Sequence, residues 1–132
     1  MIVWTLMLIM DLTMPLIMIG FGSRFIKKLP KSINMIYGYR TAMSTKNADT
    51  WSFAHRHIGK TWRLAGWITF AVTFAAFLAV LLLGGDAEFV AVFGGWVCGV
   101  QLILLICSII PTERALKKNF NRAGYRISEI KE

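Results

Sequence analysis

Two stretches of this chain, residues 64–84 and 89–110, contain no charged side chain, and a third, residues 1–22, contains one, Asp11. A helix rises about 1.5 Å per residue, so roughly 20 apolar residues cross the ~30 Å of hydrocarbon in a bilayer. All three stretches are long enough. Inside lipid a chain must satisfy its own backbone hydrogen bonds, which leaves helices as the reading for such runs. The alternative is a set of buried helices in a water-soluble protein. It fails on surface, because three such helices in 132 residues leave too few polar side chains to enclose them. Charged residues are 17% of the chain, against about 25% in soluble domains. The sequence therefore predicts an all-α fold, a three-transmembrane-helix bundle forming a single integral membrane domain over 1–132. The spans fall at about 1–22, 62–84 and 89–110. An interfacial amphipathic helix is expected in the cytoplasmic loop 23–61, and a short helix in the cytoplasmic tail 111–132.

The first span is read as a retained helix. A cleaved signal carries its positive charge ahead of the apolar run, whereas here the first basic residue is Arg24. The 15 Lys and Arg outnumber the 7 Asp and Glu, for a net charge of +8. Every one of them lies between residues 23 and 63 or after Pro111, and the connection Gly85-Asp86-Ala87-Glu88 carries only acids. The positive-inside rule then places the N-terminus and the 85–88 turn outside, and the loop and C-terminus in the cytoplasm, for a multi-pass protein of the plasma membrane. Anionic headgroups of the inner leaflet are the expected partners of these charges, at about 1 kcal/mol each. Nucleic acid is not expected, since no nucleic-acid motif accompanies them.

Within the spans, Asp11 is the most informative residue. It lies about 15 Å from the outer end of its helix, and Thr73 and Gln101 reach similar depths. A carboxylate at mid-membrane is expensive and faces the bundle interior. Two readings of Asp11, Thr73 and Gln101 stay open: a polar site for a ligand, proton or catalytic step, or an interhelical clamp between a protonated Asp11 and Gln101 or Thr73. Pro15 can kink the helix one turn later. Gly95 and Gly99 form a GxxxG pattern, and Ala71, Ala75 and Ala79 repeat every four residues, so both are candidates for close helix packing; a homo-oligomer is a candidate assembly. Trp4, Trp62, Trp67 and Trp96 are expected as interface anchors. Cys98 and Cys107 fall on opposite helix faces and read as apolar filler.

The loop between the first two spans is too long for a simple connector. Its first half, with Pro30, Asn34, Tyr37, Gly38 and Tyr39, disfavours helix. Its second half reads as an amphipathic helix. Ser44 or Thr45 could cap it, and Trp51, Ala54, His55, Ile58 and Trp62 form a stripe suited to the headgroup plane. Gly59 is where the chain could turn into the second span. His55 and His57 point apart and have no other ligand nearby, so they read as interfacial or solvated, and no metal site is expected. After Pro111, Thr112 and Glu113 can start a helix with Leu116 and Phe120 as its apolar edge. Gly124 is expected to end it, with frayed chain beyond.

The string Asn34-x-x-Tyr37-Gly38-Tyr39-Arg40-Thr41-x-x-Ser44, followed by Trp51 and Ala54, resembles the signature of the SdpI family of bacterial membrane proteins. The tail Pro111-Thr112-Glu113-Arg114-Ala115-Leu116-Lys117-Lys118-Asn119-Phe120 is similar to that family's segment after its last span. The family's namesake protects its producer against a secreted toxic peptide and takes part in signalling. The resemblance implies a short, three-span member in a bacterial plasma membrane that confers immunity to, or senses, a secreted membrane-active toxic peptide. It also implies a cytoplasmic signalling partner and a loop, Asn34, Tyr37, Gly38, Tyr39, Arg40, Thr41, Ser44 and Trp51, that serves as the binding surface. On the residues themselves, Arg40 could clamp a phosphate, a carboxylate or an acidic partner, with Trp51 stacked on it. It could equally cap helix ends while Trp51 anchors to lipid. The alternative function is a small intramembrane enzyme or transporter using Asp11 and Arg40, although no nucleophile–base pair or phosphate loop is visible and no cofactor is called for. A scaffold subunit of a larger membrane complex is a third possibility.

Overall fold

The structure, a computed structural model, describes residues 1–130. Among them are five helices: α1 (Ile2–Lys27), α2 (Ala48–Leu82), α3 (Ala87–Cys107), α4 (Ile109–Asn119) and α5 (Ile127–Ile130). The one extended pairing among the described residues is an isolated bridge between Phe120 and Arg126. Three stretches are long and apolar enough to cross a membrane: α1, α2 and the run from Ala87 to Asn119. The fold is thus the expected all-α bundle. The chain packs as two compact units, one built from Met1–Gly20 and Arg63–Cys107, the other from Phe21–Trp62 and the chain from Ser108 onward.

The first unit is arranged for lipid. Its outward side chains are large and apolar, among them Ile68, Val72, Phe74, Val92, Trp96 and Ile103. In water that surface would be a severe liability, whereas hydrocarbon solvates it. Inside, Phe77, Val80 and Val90 pack with Val3, Trp4, Met7 and Phe93, and the polar Asp11, Thr73 and Gln101 are buried. The interior holds the polar groups because lipid cannot satisfy them. Close helix approach uses different small residues from those the sequence pattern suggested. At Gly66 an added Cβ would come within 2.8 Å of Ile19 Cγ1 and 3.0 Å of the Pro15 carbonyl oxygen, while Gly95 and Gly99 have nothing within 4 Å. Ala71, Ala75 and Ala79 are exposed, because Thr73, Phe77 and Val80 occupy the buried face of α2. Trp4 is half-buried, and its Nε1–H donates to the Phe77 carbonyl at 2.9 Å. Trp67 and Trp96 are exposed.

The α2–α3 connection follows from its residues. Gly84 has φ +74°, its N–H donates to the Leu81 carbonyl (3.2 Å), and the Gly85 N–H donates to Val80 (3.1 Å). This is a Schellman end, for which glycine is the residue of least steric cost. Asp86 then caps α3 by accepting from the Phe89 N–H at 2.8 Å. At its other end α3 stops at Cys107. Pro111 has no N–H to offer the Cys107 carbonyl four residues back, and its ring crowds that oxygen. The chain restarts at Ile109 with Pro111 in the first turn of α4, where proline is tolerated.

The second unit corrects the expectation of an amphipathic helix that turns at Gly59. Residues 48–82 form one uninterrupted helix. Gly59 is there for proximity, since a Cβ on it would lie 2.9 Å from the Gly22 carbonyl oxygen and 3.0 Å from Phe25 Cβ. Nor does Ser44 or Thr45 cap α2. Asn47 does, accepting from the Thr50 N–H (2.9 Å), while the Thr50 hydroxyl accepts from the Asn47 N–H (3.1 Å). This reciprocal pair satisfies two of the helix's orphan donors. The stripe assigned to the headgroup plane is instead buried in protein: Trp51, Ala54, His55 and Ile58 are all 2% exposed or less. It packs with Phe25, Tyr39, Leu116 and Phe120. The described residues after Phe120 are held in place as well. Asn121 Oδ1 accepts from the Ala123 and Tyr125 N–H groups, Gly124 turns with φ +89°, and Asn47 Nδ2 donates to the Gly124 carbonyl at 2.7 Å. Arg126 forms a bidentate pair with Asp49 (2.6 and 2.7 Å) and lies 5.2 Å from the Phe120 ring centroid.

Candidate functional site

The loop residues singled out by sequence converge on one buried side chain, His55. Gly38 has φ +118°, and a Cβ there would sit 2.6 Å from His55 Nε2 and 3.2 Å from Trp51 Cη2. Only glycine lets the backbone lie this close in that conformation. The next N–H, that of Tyr39, donates to His55 Nε2 at 2.8 Å. His55 Nδ1 lies 2.8 Å from the Trp51 carbonyl. A carbonyl only accepts, so Nδ1 carries the hydrogen and Nε2 holds a lone pair. The ring is therefore neutral and locked in one tautomer, with burial pushing its pKa down. His55 is thus neither interfacial nor solvated. It lies 4.2 Å from the Trp51 ring and edge-on to Phe25 at 4.9 Å, centroid to centroid.

The remaining signature residues brace this centre. Asn34 Oδ1 accepts from the Ile36 and Tyr37 N–H groups at 3.0 and 2.9 Å, an Asx turn that aims the chain. Tyr37 packs on Phe25. The Tyr39 hydroxyl donates to Glu113 Oε1 at 2.7 Å; burial, then the adjacent carboxylate, push the phenol up. The Thr41 N–H donates to Ser44 Oγ (2.8 Å), the Ser44 N–H to Thr41 Oγ1 (3.2 Å), and the Ser44 hydroxyl to the Tyr39 carbonyl (2.9 Å). That commitment is why Ser44 does not cap α2. Trp51 donates from Nε1 to the Pro30 carbonyl at 3.1 Å. Arg40 is exposed and donates to the Met35 carbonyl, with no stacking on Trp51. Beside it Met35 and Ile36 are 83% and 89% exposed. The motif is a scaffold with an outward tip of Met35, Ile36 and Arg40.

Two further contacts join α2 to α4. His57 Nδ1 lies 2.9 Å from Thr112 Oγ1, and burial, then the nearby Lys60 charge, lower its pKa. The Trp62 N–H donates to Ser108 Oγ at 2.8 Å. Sequence reasoning reads His55 as interfacial or solvated and Glu113 only as part of a helix start, and gives Thr50 no role. The i,i+4 spacing of Trp51 and His55 was a usable signal, but nothing local links Tyr39 to Glu113, 74 residues away.

In the first unit, Gln101 Nε2 donates to Thr73 Oγ1 at 2.9 Å, a pairing of the two residues that were each expected to meet Asp11. Asp11 does not join it: its Oδ2 has no hydrogen-bond partner and neither does Gln101 Oε1. Asp11 faces Gly94 instead, 3.2 Å from where a Cβ would stand. No group of three His, Cys, Asp or Glu able to hold a metal occurs among the described residues.

A model of the SdpI/YfhL protein family matches residues 31–112, more than half of the chain, from just after Pro30 to Thr112. The chain belongs to the SdpI/YfhL family. The matched region contains Asn34 through Trp51 and His55, whereas Phe25, Pro30 and Glu113, which also brace this centre, lie outside it. No curated protein and no solved structure matches the chain.

Proposed function

We propose that this SdpI/YfhL-family membrane protein confers immunity to, or senses, a secreted membrane-active toxic peptide in a bacterial plasma membrane. The proposed topology has the N-terminus outside, and the loop signature and C-terminus in the cytoplasm. The observation that carries this reading is the family's signature folded into a rigid base that holds Met35, Ile36 and Arg40 outward. Two large apolar side chains beside one guanidinium suit an amphipathic helical peptide or an acidic signalling partner. The buried signature residues then act by holding this tip in place.

Expression in a sensitive bacterium, with challenge by candidate secreted peptides, tests the proposal. Survival is expected to rise with the wild-type chain and to fall back with Met35→Ser/Ile36→Ser or Arg40→Ala, at unchanged protein level. Equal survival with and without the chain against every peptide contradicts it. A second reading, an intramembrane transporter or enzyme, draws support from the unpartnered buried carboxyl oxygen of Asp11. It predicts that Asp11→Asn abolishes a measurable activity while the tip variants leave it intact.

A further inference from the structure

The second unit carries a pocket of about 330 Å³ whose lining includes Ser52, Arg56, His57, Lys60 and the Asp49–Arg126 pair. From its residues we infer that this pocket is a binding site for a phosphoryl group, supplied either by an anionic lipid headgroup or by a free phosphate ester.

The volume lies at the lower end of the ~300–1,000 Å³ typical of ligand pockets, enough for a phosphoryl group with a small substituent. Charge selects the ligand. The one acid in the lining, Asp49, is already held by both arms of Arg126, which also keeps its pKa low. Arg56 and Lys60 are exposed, and neither makes an ion pair or side-chain hydrogen bond among the described residues. They stand four residues apart on one helix face, where like charges repel. A bound oxyanion removes that repulsion. The donors are complementary: the planar guanidinium of Arg56 can take two oxygens, Lys60 supplies a compact charge, and Ser52 offers a hydroxyl. His57 stacks against Phe53 at the pocket wall (ring centroids 6.2 Å apart, 19° between planes) and is held by Thr112. The wall is thus fixed from α4, and the Arg126 side from the turn after Phe120. A pocket with rigid sides and two unpaired cations favours a multiply charged anion over a carboxylate. This site is separate from the Met35–Arg40 tip, and the inference stands whether or not the tip binds a peptide.

The test uses the full chain in an uncharged maltoside detergent with two probes: inorganic phosphate by isothermal titration calorimetry, and phosphatidic acid in mixed micelles by native mass spectrometry. At least one probe is expected to bind. Arg56→Gln/Lys60→Gln should weaken binding by about tenfold or more, the loss expected for charged hydrogen-bond donors. Arg56→Lys should fall between, keeping the charge but losing the fork. Lys117→Gln/Lys118→Gln, which removes the same charge from α4, should bind like wild type. Melting curves verify that each variant is folded. Binding of inorganic phosphate points to a free ester as ligand, and binding of phosphatidic acid alone to a headgroup. Binding of neither probe overturns the inference, as does equal weakening by the pocket and α4 variants.

Discussion

At the scale of single residues, the scaffold depends on a glycine and a histidine that fit only each other. Gly38→Ala would force a Cβ to within 2.6 Å of His55 Nε2 at a φ of +118°. Strain of this kind costs about 1–3 kcal/mol, and the expected outcome is a clear drop in melting temperature in detergent. His55 predicts a pH dependence. Its folded-state pKa lies below the ordinary 6.5, so the unfolded chain binds the proton more readily. The stability it contributes is complete above pH 6.5 and declines as pH falls from there toward the lower folded value. His57, shifted the same way, adds to the slope. Melting temperatures from about pH 8 to about pH 5 should fall on the acid side, and the fall should shrink in His55→Asn/His57→Gln. A pH-independent melting temperature would contradict the neutral tautomer. Sequence reasoning picked out Gly38, Tyr39 and Trp51 but not what they enclose. The Tyr39–His55 bond joins residues 16 positions apart across an irregular loop, and local pattern carries no information about such a closure.

Among the helices, the three spans were legible because charge-free runs of about 20 residues have few other solutions. The continuity of α2 through Gly59 was not. A glycine after an amphipathic stripe reads as a hinge or as a contact point, and only the neighbouring Gly22 and Phe25 decide between them. The same holds for the small residues of the spans, where GxxxG spacing marked Gly95 and Gly99 but the tight contact falls on Gly66. Gly59→Leu and Gly66→Leu should therefore each lower stability by about 1–3 kcal/mol, as overpacking does. Gly95→Ala and Gly99→Ala should leave the melting temperature of the monomer unchanged or slightly higher, since alanine is the better helix former. Thermal unfolding of the four variants side by side separates the two sets. Destabilisation by Gly95→Ala alone would mean that the packing faces have been wrongly assigned.

For the whole molecule, the distribution of charge was the most readable property, and it makes the strongest commitment. All 15 Lys and Arg lie in 23–63 or after Pro111, the two regions that contribute the basic residues of the second unit. If the chain crosses the bilayer three times, both regions share one side, and under the proposed topology that side, with the tip at Met35, Ile36 and Arg40 and the phosphoryl pocket, is the cytoplasm. Labelling of single-cysteine variants by a membrane-impermeant maleimide tests this most directly. On a background of Cys98→Ser/Cys107→Ser, the sites are Ala87→Cys, Ile36→Cys and Ser128→Cys, all exposed positions. The expected result is labelling of Ala87→Cys on intact cells, with Ile36→Cys and Ser128→Cys labelled only after the membrane is opened. Labelling of Ile36→Cys or Ser128→Cys on intact cells would contradict the topology and the inward-facing tip that depends on it.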